Sequence, residues 1–336
     1  MHWPSLSPLE GEGWGGGWPL TRFIAARLLQ VLAVLAVMSF IIYGLIGLMP
    51  GDPIDLMLTA DPHLTSADAA RLKALYGLDQ PLAKRYATWA QAALSGDFGY
   101  SRLYATRVTA ALLPRLGNTG LLMGTSFLVA LGLALPLGVL AARRPGAAFD
   151  VAANLAAFAG ISVPPFWLAL MLILVFAAGL GWLPAGGVAT IGEGGVVDRL
   201  RHLVLPVATL SAASLGSYLR FMRAAMVEAM RQDYVRTARA KGASETRVLW
   251  GHALRNALIP VITVVALSFG TLFSGALITE TMFAYPGMGK LIYDAILGND
   301  FNLALAGLLF ATLLVLLSNL AADIAYAAAD PRITYR

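Results

Sequence analysis

Apolar residues gather into six long stretches that are separated by polar or charged segments. A helix that crosses the roughly 30 Å hydrocarbon core of a bilayer needs about 20 mostly apolar residues, and a backbone in lipid must be helical or close into a barrel. The pattern therefore predicts an all-α membrane protein with six transmembrane helices. We place these helices at residues 22–49, 119–142, 151–180, 203–219, 258–279 and 303–322.

The segments on either side of the first predicted span differ in character. Residues 1–20 are rich in Trp and Gly and have no periodicity, which predicts a disordered extension or a misplaced translation start. Residues 50–115 predict a small helical cap outside the membrane, in which Ser66 suits the N-cap of one short helix and 81–94 indicates another. The first span is too long for a signal-peptide core, so we expect it to be retained.

The composition supports a membrane protein and excludes several kinds of chemistry. The chain of 336 residues is 58% hydrophobic and 13% charged, with a mean hydropathy of +0.70, whereas soluble domains carry about 25% charged residues. It has no cysteine, which excludes disulfides, thiolate metal sites and a cysteine nucleophile. Its four histidines show no metal-binding spacing. We therefore expect no metal site, no catalytic residue and no bound cofactor in this chain.

The distribution of basic residues predicts the orientation of the spans. The chain carries 24 Lys and Arg against 19 Asp and Glu, a net charge of +5. With the N-terminus inside, most basic residues fall in inner segments, and the short outer loops hold only Arg199, Arg201 and Lys290. Short inner loops retain Lys and Arg, so both termini are predicted to be cytoplasmic. This assigns the basic surplus to membrane topology rather than to nucleic-acid binding.

The predicted spans contain almost no ionisable residues. Arg27, Glu280 and Asp323 lie near span ends, where we expect interfacial positions. An ion-coupled secondary transporter needs such groups at membrane depth, so the pattern disfavours that class.

One short motif resembles a phosphate-binding loop. Gly287-Met288-Gly289-Lys290 matches the end of a P-loop, but Ala284 and Leu291 stand where a P-loop has Gly and Ser or Thr. If ATP drives this protein, we expect another subunit to bind it.

The inner loop between the fourth and fifth spans, residues 228–260, carries the strongest local signals. A helix-forming stretch over 227–240 is followed by Gly242, a natural left-handed position after a helix. Ser244 can then cap a second helix with Glu245 in its first turn. The loop is therefore predicted to contain two short helices joined by a tight turn.

Three apolar residues, Val248, Leu249 and Trp250, follow in this otherwise polar loop. Apolar side chains on a short charged helix in the cytoplasm indicate a protein partner. The alternative is that they pack under the membrane domain while the basic residues face anionic lipid headgroups.

The inner loop resembles the EAA loop of ABC importer permeases, and nearly the whole chain after residue 20 resembles the dipeptide/oligopeptide permease family. The general loop has Glu-Ala-Ala, three residues and Gly. Here Arg236-Thr237-Ala238 precedes Gly242 by that spacing, as in the peptide branch, whereas Ile259-Pro260, the Leu-Pro equivalent, comes later than the pattern requires. Further matching motifs follow in order: Gly51-Asp52-Pro53, Tyr76-Gly77-Leu78-Asp79-Gln80-Pro81, Gly96-Asp97-Phe98-Gly99-Tyr100-Ser101, Ser162-Val163-Pro164-Pro165-Phe166, Glu280-Thr281-Met282-Phe283, Tyr285-Pro286-Gly287-Met288-Gly289 and Asp330-Pro331-Arg332.

This resemblance implies a type I ABC importer permease fold with its transmembrane domain over 107–328, in the inner membrane of a bacterium. The implied partners are a second homologous permease, two ABC ATPase subunits that hold ATP-Mg, an extracytoplasmic solute-binding protein and membrane lipid. The implied cargo is a di- or oligopeptide, with nickel chelates, glutathione or another small solute as alternatives. This chain would be a transporter subunit and not an enzyme.

The resemblance also assigns the coupling to the ATPases to one inner segment. That segment comprises Arg236, Thr237, Ala238, Arg239, Ala240, Lys241, Gly242, Ala243, Ser244 and Glu245. Arg239 and Lys241 are candidate polar contacts for an ATPase, and ordinary solvated charges are the alternative.

The outer ends of the fifth and sixth spans carry a second candidate site. Glu280, Tyr285, Pro286 and Gly287 combine a carboxylate with a Pro-Gly turn at a membrane face. We predict that they form an external gate or a contact for the solute-binding protein, with a simple tight turn as the alternative. The alternative to a transport function is that the protein is a membrane scaffold whose inner loop recruits a soluble partner.

Overall fold

The computed structural model describes residues 20–48, 65, 71, 80–192, 194–269 and 271–329. The predicted extension before Leu20, the predicted N-cap at Ser66 and the outer position Asp79 lie outside these residues.

Helices make up most of the described chain. They are α1 (Leu20–Ile46), α2 (Leu82–Leu94), α3 (Val108–Arg143), α4 (Ala148–Ser162), α5 (Pro165–Leu172), α6 (Val196–Met230), α7 (Asp233–Ala240), α8 (Glu245–Arg247), α9 (Leu254–Phe269), α10 (Thr271–Met282), α11 (Met288–Leu297) and α12 (Phe301–Ala329). Two π-helical segments, Ile173–Gly179 and Val248–Ala253, extend α5 and α8.

Four of these helices are long and apolar enough to cross a membrane alone, and they are α1, α3, α6 and α12. Helix α3 has 36 residues and begins well before the predicted start at 119. Its first part contains Arg115 and Asn118. Hydropathy finds only the apolar part of a helix, so a helix that continues beyond the lipid is predicted too short.

The predicted span 151–180 is not one straight helix. Helices α4 and α5, the latter extended to Gly179, meet at an angle of 103°. The break falls at Val163-Pro164. A proline lacks the amide N–H of a helical hydrogen bond and disfavours helical backbone in the residue before it. Pro164 and Pro165 in succession therefore end α4 and start α5 in a new direction.

The predicted span 258–279 is divided between α9 and α10. These helices have 16 and 12 residues, so each alone is shorter than the roughly 20 residues that a bilayer requires. Within the described residues the structure thus has four single-helix spans, the bent pair α4 and α5, and the α9 and α10 segment where the fifth span was predicted.

The outer loop after α1 contains one of its predicted helices and an unpredicted hairpin. Helix α2 matches the predicted helix at 81–94. Strands β1 (Tyr100–Ser101) and β2 (Thr106–Arg107) then pair antiparallel. The Asp300 carboxylate, at the start of α12, accepts hydrogen bonds from Ser101 Oγ at 2.6 Å and from the Leu103 amide at 2.9 Å. This carboxylate fixes the hairpin to the last helix.

Buried side chains connect the inner loop to the membrane helices. Met222 and Met226 of α6 belong to the same apolar cluster as Val235 of α7 and Val248, and all four are fully buried. Helices α3 and α6 pack closely in this cluster, since a Cβ on Gly138 would lie 2.7 Å from the Met222 side chain. The inner loop is therefore fixed to α6 by packing as well as by chain connection.

Candidate functional site

The inner loop forms a compact corner of two short helices. The predicted helix over 227–240 is two helices, because α6 ends at Met230 and α7 starts at Asp233. Val235 and Ala238 are buried in the apolar cluster shared with α6, so they hold α7 against the membrane domain. Ala238 belongs to the predicted coupling segment, in which Ala243 is half-buried and the remaining residues are exposed.

Gly242 turns the chain between α7 and α8. Its φ is +81°, in the left-handed region that residues with a Cβ seldom adopt. The Ala243 amide donates to Ala238 O at 3.1 Å and the Gly242 amide donates to Arg239 O at 2.9 Å. This hydrogen-bond pair is the Schellman motif, which closes a helix with a glycine at that position. The structure therefore bears out the predicted conformation of Gly242.

The second helix starts as its sequence indicates. The Ser244 side chain accepts a hydrogen bond from the Arg247 amide, and Glu245 lies in the first turn. Arg239 donates from Nε to Glu245 Oε1 at 2.8 Å and from Nη2 to Oε2 at 3.1 Å. These hydrogen bonds lower the pKa of the Glu245 carboxyl and raise the pKa of Arg239. Within this structure the two charges bridge the corner, so Arg239 is not a freely solvated cation.

The three apolar residues that indicated a partner have different environments. Val248 and Leu249 are buried at 0% and 4% exposure in the cluster shared with α6, whereas Trp250 is 42% exposed. Of the two alternatives that the sequence left open, packing under the membrane domain therefore holds for Val248 and Leu249, and only Trp250 is available to a partner. Val248 and Leu249 lie on the side of the loop that packs against α6. Helical spacing places Trp250 on a different face.

Loss of the Arg239 and Glu245 pair is expected to have a small effect on stability. Both side chains are about half exposed, and exposed ion pairs contribute little. Because Arg239 lowers the pKa of Glu245, the contribution is present above the ordinary carboxyl pKa and disappears as pH falls through the lowered value. Melting curves of wild type and Glu245→Gln should therefore coincide at acidic pH and separate slightly at neutral pH. A larger gap at acidic pH would contradict this assignment.

The outer-end residues form a buried cluster around Glu280. Thr119 Oγ1 of α3 donates to Glu280 Oε1, and the Lys290 amide donates to Glu280 Oε2 at 3.0 Å. The Met288 amide donates to Thr119 Oγ1 at 2.7 Å. Glu280 thus links α10 to α3 and to the first turn of α11. Its exposure is 0%, so the carboxylate is enclosed by the helices around it and does not face solvent.

The turn after α10 is fixed to the same part of α3. Tyr285 is 1% exposed, and its OH donates to Asn118 O at 3.2 Å. Asn118 Nδ2 in turn donates to Pro286 O at 2.8 Å. Gly287 lies so close to Glu280 that an added Cβ would be 2.1 Å from its carboxyl. We call Asn118, Thr119, Glu280, Tyr285, Pro286 and Gly287 the outer-end cluster.

Two members of the outer-end cluster escaped the sequence prediction, namely Asn118 and Thr119. The available signal was a polar pair at the outer start of the predicted span 119–142. Nothing local connects that pair with Glu280, which is 161 residues away from Thr119 in the chain. Among the described residues, no group of His, Asp and Glu is arranged to hold a metal ion.

The chain is similar to membrane components of transport systems. Residues 134–335 match the family described as binding-protein-dependent transport system inner membrane component. The chain is 39% identical to the oligopeptide transport system permease protein AppB of Bacillus subtilis (strain 168), over 94% of this chain and all of that protein. It is 38% identical to the di/tripeptide transport system permease protein DppB of Pseudomonas aeruginosa (strain UCBPP-PA14), with the same coverage.

A solved structure has a similar fold. A chain of the MetNI methionine ABC transporter, in an inward-facing conformation, aligns with 66% of this chain and 96% of its own length at a TM-score of 0.53. The identity is 19%, so this likeness bears on the fold alone. It agrees with the predicted type I importer permease fold.

Proposed function

Because this chain belongs to the family of binding-protein-dependent transport system inner membrane components, we propose that it forms part of the translocation pathway for di- and oligopeptides in an ABC importer. The main support for this proposal is the similarity, along 94% of the chain, to peptide permeases such as AppB and DppB. The importer permease fold agrees with it. The chain is a permease subunit, and ATP hydrolysis takes place in partner subunits.

The inner corner supplies the coupling. Residues 236–245 form a largely exposed turn, and the buried Val235 and Ala238 hold α7 in the apolar cluster that it shares with α6. Two ATPase subunits with ATP-Mg bind this corner and the equivalent corner of a second permease. Their closure moves the corners, and the helix bundle passes between inward and outward access. The exposed Trp250, Arg236 and Lys241 offer apolar and cationic contacts to the ATPase.

The outer-end cluster serves as a fixed element of the external gate. The burial of Glu280, Tyr285 and Gly287 supports this role. A rigid joint between α3, α10 and α11 makes these helices close or open together. Contact with the solute-binding protein is assigned to exposed neighbours such as Ala284, since the buried residues offer no surface to it.

Transport by a reconstituted complex tests the proposed function. The chain is purified with its second permease and two ATPases, placed in proteoliposomes, and given the solute-binding protein and a labelled peptide. Uptake is expected with ATP and not without it. Uptake of nickel chelate or glutathione instead would overturn the peptide substrate and leave the permease assignment intact. ATP-independent uptake driven by an ion gradient would overturn both.

Orientation is a separate prediction, with both termini and the inner corner in the cytoplasm. The chain has no cysteine, so single substitutions can be labelled selectively. A membrane-impermeant thiol reagent applied to spheroplasts is expected to label Tyr100→Cys, an exposed hairpin position, and to leave Arg144→Cys and Lys241→Cys unlabelled until the membrane is opened. Labelling of position 241 from outside would reverse the topology.

A further inference from the structure

Helices α4 and α6 are joined near their inner ends by an ion pair whose carboxylate is buried and whose guanidinium is partly exposed. Asp150, in the first turn of α4, is 2% exposed. Arg223 of α6 donates from Nε to Asp150 Oδ1 and from Nη2 to Oδ2, the second at 2.6 Å. The carboxylate also accepts from the Gly146 amide and from Asn154 Nδ2, each at 2.8 Å. We call Asp150 and Arg223 the clamp. A bidentate pair of this kind fixes orientation as well as distance.

A second contact fixes the same two helices further along. A Cβ on Gly216 of α6 would lie 2.4 Å from Ala157 O, and a Cβ on Gly160 of α4 would lie 2.8 Å from Ala212 O. The two backbones therefore touch. Gly160 is about 15 Å along the helix axis from Asp150, because each residue of an α-helix rises about 1.5 Å. The ion pair and the glycine contacts thus hold α4 against α6 at two well-separated points in this structure.

The clamp lies between the inner corner and the bend of the α4 and α5 pair. Helix α6 continues for about 10 Å beyond Arg223 and then leads into α7. Helix α4 runs from Asp150 to the 103° break at Val163-Pro164. A displacement of the inner corner acts on α6 directly. It reaches α4 and the bend beyond it through contacts such as these, in addition to the direct packing of α5 on α6.

We propose that Asp150 and Arg223 are positioning residues that make α4 move with α6 when the inner corner moves. The movement caused by closure of the ATPases then reaches α5 through α4 as well. This rests on the coupling role of residues 236–245 given above. The Asp150 carboxylate is costly to desolvate, so this partly buried ion pair adds little stability compared with apolar packing. The geometry of the pair suits a rigid joint between the two helices. Loss of such a joint should lower the number of peptides transported per ATP hydrolysed without changing the rate of hydrolysis.

The first test measures transport per ATP in the reconstituted complex. Asp150→Asn and Arg223→Gln are expected to keep ATP hydrolysis within about twofold of wild type while peptide transported per ATP falls about fivefold or more. Arg223→Lys keeps the charge but loses the bidentate geometry, so an intermediate value is expected. Asp323→Asn is the matched control, because it breaks the Arg27 and Asp323 ion pair between α1 and α12. The amount of peptide that Asp323→Asn transports per ATP should equal the wild-type value.

The second test measures the joint itself and needs no transported substrate. Spin labels are placed at the exposed positions Leu155→Cys on α4 and Arg231→Cys after α6, in the complex with its ATPases. With an intact clamp we expect one narrow distance that is the same with and without ATP. With Asp150→Asn we expect a broad distance distribution that changes with ATP.

These outcomes separate the clamp from the proposed function. If wild-type complex hydrolyses ATP but takes up no peptide, the substrate proposal fails, and the spin-label distances still decide the clamp. The clamp is overturned by a distance that changes with ATP in the intact complex. It is also overturned if Asp150→Asn lowers hydrolysis and transport in equal proportion, or changes neither, because a merely structural residue would behave in those ways.

Discussion

Gly287→Ala is expected to destabilise the folded protein by about 3 kcal/mol or more. The φ of Gly287 is −99°, so the backbone would accept alanine. The cost arises because the new Cβ would lie 2.1 Å from the Glu280 carboxyl, far inside van der Waals contact distance. The carboxyl must move and lose the hydrogen bonds from Thr119 and the Lys290 amide. A buried carboxyl without its partners carries a penalty of that size.

The measurement is the free energy of unfolding of the purified protein in detergent or nanodiscs. Gly120→Ala is the matched control, because this glycine is one residue from Thr119 and has open space where its Cβ would be. Alanine favours a helix over glycine by about 1 kcal/mol, so the control should be neutral or stabilising. A Gly287→Ala protein as stable as wild type would contradict the packing of the outer-end cluster.

A double substitution tests the mechanism of this destabilisation. Glu280→Ala removes the carboxyl that would clash with the methyl group of Gly287→Ala. It also removes the hydrogen bonds that this carboxyl accepts from Thr119 and the Lys290 amide. The double variant should therefore be less destabilised than the sum of the two single variants, with a coupling of about 1 kcal/mol or more. Additive effects would mean that the two residues do not meet in the folded protein.

The second large effect is expected at Gly242, where substitutions should weaken the coupling to the ATPases and spare folding. A Cβ there would meet nothing within 4 Å, so the cost is conformational and not steric. The left-handed φ of +81° costs a residue with a Cβ about 1 to 2 kcal/mol. Relaxation of that strain tilts α8 relative to α7 and displaces the docking surface. ATPase affinity should fall about fivefold to thirtyfold for that energy.

The effects should follow the order Asn, Ala, Val, from smallest to largest. Asn tolerates left-handed backbone, and β-branched residues are the poorest there. The measurement is the titration of ATPase subunits against the permease pair in nanodiscs, with stimulated hydrolysis as the readout. Gly96→Val is the matched control, since Gly96 has a φ of +84° and equally open space but lies in the outer loop. Unchanged ATPase affinity for Gly242→Val would contradict the assignment of residues 236–245 as the coupling segment.

Much of the architecture was accessible from the sequence because its causes are local. The length and hydropathy of each apolar stretch placed the long helices, although not their ends. Proline pairs, a Gly at a helix end and a Ser at a helix start act within a few residues, so the corner at Gly242 and Ser244 was predicted with its conformation. The bend at Val163-Pro164 has an equally local cause, and its prolines were visible, but the apolar run through them indicated one span.

The polar joints depended on tertiary structure, because their partners are far apart in the chain. Asp150 and Arg223 are 73 residues apart, and Thr119 and Glu280 are 161 apart. From the sequence, Asp150 resembles an ordinary acid at a helix start and Glu280 an interfacial acid at a span end. The apolar stretches and the turn at Gly242 could be predicted from the sequence alone, because each depends on neighbouring residues. Which carboxyl groups are buried depends on how the helices pack, because a carboxyl leaves water at low cost only where packing brings distant hydrogen-bond donors to it.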